Sequence, residues 1–373
     1  MLDNSTGQTL QEKTETENMK VQIYRGLFQP STVPWGKAFR TVCVVFAVCF
    51  IALSLLFSSL AWSANEKIIF GWSAVSGAQA VPWITKDAGL FEKHGLDTTL
   101  LFLDGGSKAI QTLLSGEIPV VLGAGNSAVA ARVRGGDVVL IAGIVNSLAY
   151  SLIVNPDIKK PEDLRGKKLA VSRYGANSDY ATRKILAKWG LRPDKDVAII
   201  QIPGGQPTRL ATVQSGQVAG LVAQPPVTNL ARKLRLNIIA EPEDFGGEYT
   251  NTPVASTRAV IRERKEMLRK FMRALVEGIS VYKTQRDFSK RVIAKYMRIN
   301  DADAIDESYQ FFSRLVPAKP YVPINAIKEV LLELGEKDPK VASLKPEDFA
   351  DMSFVKELDE SGFIDGLYKG KAK

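Results

Sequence analysis

Cysteine is absent from the chain after Ala64. The sequence holds two cysteines, Cys43 and Cys49, and both lie inside one apolar run near the N-terminus. A disulfide framework, a thiolate nucleophile and a cysteine metal site are therefore excluded for residues 65–373. A lipid anchor is not supported either, because neither cysteine stands at the end of the apolar run behind a leucine and two small residues.

Histidine is almost as scarce. His94 is the single histidine, and it precedes Gly95 at the predicted C-terminal end of a helix. One histidine cannot form a two-histidine metal site, and no Ser/His/Asp set is recognisable around it. We expect His94 to interact favourably with the helix dipole. The residues thus indicate no enzyme, no metal and no cofactor.

Long apolar runs are also few, and the one from Thr41 to Leu60 stands apart from the rest. A polar leader, Met1–Gly36, precedes it, followed by Lys37 and Arg40, and small residues come after it. This order is typical of a signal peptide, with cleavage between Ala61 and Asn65. The run is nearly long enough to span a bilayer, so an uncleaved N-terminal anchor within residues 38–64 is the alternative.

Positive charge is in excess but is not concentrated. The formal net charge is +9, yet basic residues alternate with acidic ones in helical stretches such as residues 262–266, RERKE. That alternation is typical of a solvated helix face and argues against a nucleic-acid partner. The excess gives mild support for attraction of an anionic solute.

The stretch from Leu103 to Ala128 predicts a strand end, a glycine turn, a helix, a second strand and another turn into a helix. Ser107 and Ser127 are the predicted helix-start residues, Ser107 as an N-cap. A similar pattern returns about a hundred residues later, in Ile200–Pro226, where Gly204-Gly205 corresponds to Gly105-Gly106. We therefore predict two α/β lobes whose strand-end turns share a cleft, where helix N-termini favour anions. The alternative is that any two βαβ segments look alike in sequence.

The predicted organisation divides the chain at three points. Residues 1–64 are the leader with the signal peptide or anchor, 65–149 begin the first lobe, 150–252 form the second, and 253–373 return to the first lobe and end in helices packed on it. The predicted crossings between the lobes are Asn146–Ser151 and Asn251–Ala255.

Three stretches carry a resemblance to a known family. They are WSAVSGAQAVPWITKDAGLFEKHGLDTTLLFLDGGSKAIQTLLSGEIPVVLGAGNSA, KKPEDLRGKKLAVSRYGANSDYATRKILAKWGL and QSGQVAGLVAQPP. Together they resemble the nitrate/sulfonate/taurine branch of the periplasmic substrate-binding proteins of ABC transporters, over Lys67 to Lys290. The resemblance implies an α/β, two-lobed periplasmic-binding-protein type II fold, with mixed sheets, two crossings and lobes that close on a solute.

The resemblance also implies a set of ligand contacts. They lie in the loop after the first strand, in the strand-end turns, near the first crossing and at the start of the helix that follows the loop RYGANSDYA. In this sequence the corresponding residues are Ser73, Ser76, Gly77, Gly105, Gly106, Ser107, Asn126, Ser127, Tyr150, Ser151, Tyr174, Asn177 and Gln224.

The leading functional hypothesis is an exported, periplasmic solute-binding protein, expected to be a monomer, that delivers its solute to an ABC permease. The family binds taurine, alkanesulfonates, nitrate or a thiamine pyrimidine precursor, and the sequence does not choose among them. One alternative is a membrane-anchored ligand sensor. Another is an enzyme similar to the thiamine-pyrimidine synthases, which use a histidine, a lysine-held pyridoxal phosphate and a cysteine-rich iron motif. The absence of cysteine after Ala64 argues against that enzyme.

Overall fold

A computed structural model describes Gly36, residues 65–336 and residues 338–369. The predicted leader, the segment at 38–64 and its cleavage zone lie outside the described residues, apart from Gly36. All elements below belong to one compact unit, Ala64–Lys373. Within the described part of the chain, no helix has both the length and the apolar character needed to cross a membrane.

Two five-stranded sheets form the framework. The first has the order β2-β1-β3-β10-β4 and the second the order β7-β6-β8-β5-β9. The strands are β1 Glu66–Trp72, β2 Leu96–Phe102, β3 Val120–Leu122, β4 Val139–Ser147, β5 Ser151–Val154, β6 Lys168–Val171, β7 Ala198–Gln201, β8 Gly220–Ala223, β9 Asn237–Ala240 and β10 Glu248–Ser256.

Helices cover the sheets and complete the chain. They are α1 Ala80–Asp87, α2 Leu90–Lys93, α3 Gly106–Leu114, α4 Gly125–Val133, α5 Asn177–Lys188, α6 Gly205–Gln214, α7 Val227–Lys233, α8 Arg258–Glu263, α9 Lys265–Thr284, α10 Arg286–Met297, α11 Ala302–Leu315, α12 Ile324–Gly335, α13 Pro339–Ala342, α14 Ser353–Glu360 and α15 Phe363–Tyr368.

Both sheets are mixed, as predicted. In the first, β1 runs parallel to β2 and β3, while β10 runs antiparallel to β3 and β4. In the second, β6 runs parallel to β7 and β8, while β5 runs antiparallel to β8 and β9. Short central strands such as β3 are buried throughout, because helices cover both faces of the sheet. The predicted two-lobed α/β architecture is confirmed.

The chain passes between the sheets twice. Residues 148–150 join β4 of the first sheet to β5 of the second, within the predicted first crossing. The return lies between β9 and β10, at residues 241–247, so the predicted second crossing at Asn251–Ala255 is wrong. Those residues lie inside β10, which pairs with β4 of the first sheet. The lobe boundaries at 149 and 252 remain predictions.

The C-terminal helices pack on the first lobe, as predicted. Helices α9 and α10 lie against α1, and α12 lies against α4 and β10. The side chain of Phe70 in β1 meets Phe271 of α9 edge to face, with ring centroids 4.8 Å apart. Aromatic pairs of this kind make a large contribution to core packing, so the long helix and the sheet share one core.

One predicted helix cap is shifted: α3 has Gly105 as its N-cap instead of Ser107. Helix α4 begins at Gly125, with Ser127 in its first turn, as predicted. Close packing of the two turns explains why glycine stands at the start of α3: a Cβ on Gly106 would lie 2.3 Å from the Ala124 Cβ. The helix predicted to end at His94 is broken into α1 and α2 by Gly89, which has a left-handed backbone conformation.

Candidate functional site

A small cavity of about 30 Å³ lies between the two sheets. Its walls come from the loops that follow β1, β2, β6, β7 and β8, from the helices behind them, and from β10. Open α/β sheets bind ligands outside the carboxyl ends of their strands. The predicted site residues that line this cavity are Ser73, Ser76, Gly105, Gly106, Tyr150, Asn177 and Gln224.

The other predicted residues lie elsewhere. Ser107, Asn126, Ser127 and Tyr174 line a larger outer groove of about 680 Å³. The Tyr174 side chain is half-exposed, and its hydroxyl donates to the carbonyl oxygen of Ile199 at 2.9 Å.

Two further predicted contacts have structural partners instead. The hydroxyl of Ser151 donates to Glu241 Oε2 at 2.8 Å. Gly77 faces helix α11, and a Cβ there would lie 2.1 Å from Ser308 Oγ. Its lack of a side chain therefore makes room for that helix.

The sequence-based prediction missed the charged group of the cavity, Arg209. This residue lies on the buried face of α6, one turn after the Gly204-Gly205 turn, and is 3% exposed. Its Nη1 donates to the carbonyl oxygen of Ile202 at 3.1 Å, while its Nε has no acceptor. Among the described residues, no carboxylate forms an ion pair with it.

Burial is the largest influence on this guanidinium and lowers the pKa of Arg209 from its ordinary value, while the nearby Asp104 carboxylate acts in the opposite direction. Arginine keeps its proton in proteins, so the group stays a buried cation. A buried charge without a partner destabilises the protein. The cavity is therefore a candidate binding site for an anion.

Other cavity residues add unpartnered donors. Besides Arg209 Nε, the amide nitrogens Gln224 Nε2 and Asn251 Nδ2 are buried and have no acceptor among the described residues. Tyr150 also lines the cavity, and burial raises the pKa of its hydroxyl, which keeps it protonated. Buried polar groups normally have hydrogen-bond partners, so this set of donors fits a ligand rich in acceptor atoms.

Hydrogen bonds between the lobes close the cavity. The hydroxyl of Ser76 donates to Gln224 Oε1 at 2.7 Å. Asp104 accepts from the Gly204 amide at 2.9 Å, and Ser127 donates to the carbonyl oxygen of Gly175 at 2.6 Å. The structure therefore represents a closed arrangement of the two lobes.

The described residues show no arrangement of catalytic type. No group of three histidine, cysteine, aspartate or glutamate side chains among them could hold a metal ion. His94 lies at the end of α2, as predicted, and its Nε2 is 2.8 Å from Glu277 Oε2. It is not among the residues that line the cavity.

Comparison with known proteins gives two similar relatives of named function. The chain is 31% identical over 132 residues to the taurine-binding periplasmic protein of Escherichia coli, covering 35% of this chain and 40% of that protein. It is 22% identical over 247 residues to the formylaminopyrimidine-binding protein of Halalkalibacterium halodurans, covering 65% of this chain and 74% of that protein.

Solved structures share the fold at lower identity. The alkanesulfonate-binding protein SsuA of Xanthomonas axonopodis, bound to MOPS, superposes with a TM-score of 0.64 and 16% identity over 77% of this chain and 99% of that one. The desulfurization enzyme DSZB superposes with a TM-score of 0.55 and 13% identity over 79% of this chain and 99% of that one. At such identities the likeness shows the fold alone, which serves binding proteins and an enzyme.

A family model settles the membership. The model described as NMT1/THI5 like matches residues 81–285, more than half of the chain. The matched region runs from α1 to the end of α9 and includes the cavity residues Arg209 and Gln224. The chain therefore belongs to the NMT1/THI5-like family and has the two-lobed periplasmic-binding fold.

Proposed function

We propose that this chain is an extracytoplasmic solute-binding protein that captures a small anionic or acceptor-rich solute and delivers it to an ABC permease. The observation that carries this proposal is Arg209, a buried cation that forms no ion pair with a carboxylate of the described residues, in a cavity between two lobes. An anion placed there would give the guanidinium a charged partner and would accept from the free amide donors.

Closure of the lobes is the proposed mechanism. Residues of the first lobe such as Ser76 and of the second such as Arg209 line the same cavity, so a solute between them contacts both. A ligand shifts an equilibrium between open and closed forms by its higher affinity for one of them. The solute would therefore favour the closed form, and the permease would receive that form.

The similar proteins support a solute class without fixing one member. Their names specify taurine, a formylaminopyrimidine and alkanesulfonates. Two of these three carry a sulfonate, which fits a cavity with a buried guanidinium.

We also infer export through cleavage between Ala61 and Asn65, and the intact mass of the exported protein distinguishes this from a membrane-anchored sensor.

A thermal-shift screen tests the proposed function. Ethanesulfonate, taurine, nitrate, short carboxylates and aminopyrimidines are compared with propylammonium, a cation similar in size to ethanesulfonate. At about a hundred times its dissociation constant, a solute that binds only the folded protein stabilises it by about 2.7 kcal/mol. We expect at least one anion to raise the unfolding temperature and the cation to leave it unchanged. Equal shifts with the cation, or no shift with any solute, would contradict the proposal.

A further inference from the structure

Two glutamine side chains of the cavity are held in a fixed orientation by backbone amides. Gln79 Oε1 accepts from the Ser73 amide at 3.1 Å, and Gln206 Oε1 accepts from the Gln224 amide at 2.8 Å. A backbone N–H can only donate, so the atom that faces it must be the side-chain oxygen. Both residues are almost fully buried, at 2% and 3% exposure, which restricts their rotation.

The fixed oxygens leave the NH₂ groups as the free ends of these amides. Gln79 belongs to the first lobe and Gln206 to the second, and both line the cavity. The hydrogen bonds that these two side chains form within the described ranges are those of their oxygens. Gln224 follows the same pattern, since its oxygen accepts from the Ser76 hydroxyl and its Nε2 has no partner. With Arg209 Nε, the two lobes thus present nitrogen donors to one small space.

Asp104 is the carboxylate in the cavity lining. It is half-buried, and its Oδ2 is occupied by the Gly204 amide at 2.9 Å. Its other oxygen and the hydroxyl of Thr252, which has no partner among the described residues, are acceptors that a protonated ligand could reach. The nitrogen donors of Gln79, Gln206, Gln224 and Arg209 outnumber these two acceptors.

We propose that Gln79 and Gln206 determine specificity by selecting an oxyanion that carries no proton, such as a sulfonate, over one that keeps a P–OH group, such as an alkylphosphonate monoanion. This inference rests on the proposed function and names the property of the solute that the site recognises. A P–OH group facing an NH₂ group leaves two donors opposed, and sites built to hydrogen-bond one partner reject analogues that leave buried groups unpaired.

Calorimetric titration with ethanesulfonate and ethylphosphonate tests the inference, at a pH where the phosphonate keeps one proton. Both ligands then carry one negative charge and have similar size, so the proton is the main difference. We expect the phosphonate to bind about thirtyfold more weakly or worse. Equal affinity for the two, or no binding of ethanesulfonate, would overturn the inference while leaving the proposed function intact, since that function fails only if no solute of the screen binds.

The variant Gln206→Glu reverses the hydrogen-bonding character of one position. Its carboxylate can still accept from the Gln224 amide, while its second oxygen replaces the NH₂ group. We expect sulfonate affinity to fall by about thirtyfold or more and the preference over phosphonate to shrink. Gln79→Glu repeats the change from the first lobe and serves if the first variant does not fold.

Gln214→Glu is the matched control, because it makes the same charge change on an exposed position of the same helix, α6. Its sulfonate affinity should stay within about threefold of the parent. A folded Gln206→Glu protein that kept the parent's preference, or a control that lost it equally, would overturn the inference.

Discussion

Arg209 occupies a buried position, where its charge reduces the stability of the protein. The side chain is 3% exposed, burial lowers its pKa, and one of its nitrogens lacks an acceptor. A well-packed apolar residue at such a site is often as stable as a buried ionic group or more so. A bound anion would give the guanidinium the partner that it lacks. Functional sites commonly hold groups that reduce the stability of the protein, which explains a buried arginine here.

The variant Arg209→Gln should separate binding from folding. Glutamine keeps a polar end but removes the buried charge, so the unliganded protein should be no less stable than the parent. A hydrogen bond to a charged group is worth about 1.5–3 kcal/mol, so affinity for the anion found in the screen should fall by a factor of about 10 to 150. Calorimetry gives the affinity and thermal unfolding gives the stability.

Arg192→Gln is the control for that change. Arg192 is exposed and pairs with Asp196 at 3.0 Å on the surface of the same lobe. This variant should bind the solute as the parent does. If Arg209→Gln also bound as tightly as the parent, the guanidinium would have no part in recognition.

The sequence contained a signal for Arg209 but not for the oriented glutamines. When Gly204-Gly205 is matched to Gly105-Gly106, Arg209 corresponds to Ile110, which is buried in the first lobe. A charged residue at a buried helical position indicates a functional site. The orientation of Gln206, in contrast, depends on a backbone amide 18 residues away on another element, which no local pattern reveals.

At the scale of elements, close packing of the strand-end turns fixes where the helices begin. Gly125 opens α4 directly against β10: a Cβ there would lie 1.7 Å from Thr250 Oγ1 and 2.3 Å from its carbonyl oxygen. The sequence predicted the turns correctly, because glycine and small polar residues mark them. It could not show this contact, since Thr250 comes from a distant part of the chain.

Gly125→Ala should therefore destabilise the protein. Extra atoms forced into a packed interior cost about 1–3 kcal/mol, and here the obstacle includes backbone, which cannot move aside easily. Urea unfolding measures the difference in the free energy of unfolding. Gly247→Ala is the control, because nothing lies within 4 Å of its Cβ position, and it should change stability by less than about 0.5 kcal/mol. Equal stability of the two variants would show that α4 can shift away from β10.

For the whole molecule, alternating strand and helix patterns were sufficient to predict two α/β lobes and the first passage between them. The second passage was misplaced because residues 241–251 are rich in glycine and acids, which predicted one continuous loop. In the structure that stretch holds a short helical turn, Pro242–Phe245, and then the start of β10. The pairing of β10 with β4 joins distant segments, and such pairing depends on tertiary context more than on local propensity.

The arrangement of the lobes places a cavity of nitrogen donors at their centre and a larger groove at their outer edge. The outer groove is much the larger of the two, so size alone would favour it. The chemistry favours the central cavity, where Arg209, Gln79 and Gln206 converge, so the account depends on the solute binding there.

A crystal structure tests directly whether the solute binds in the central cavity. The protein is crystallised with the solute that raises its unfolding temperature most. The account predicts the anionic group between the lobes, with oxygen atoms about 3 Å from Arg209 Nε and from the Gln206 amide nitrogen. A solute found instead in the outer groove beside Ser107, Ser127 and Tyr174, with the central cavity closed as it is here, would contradict the account.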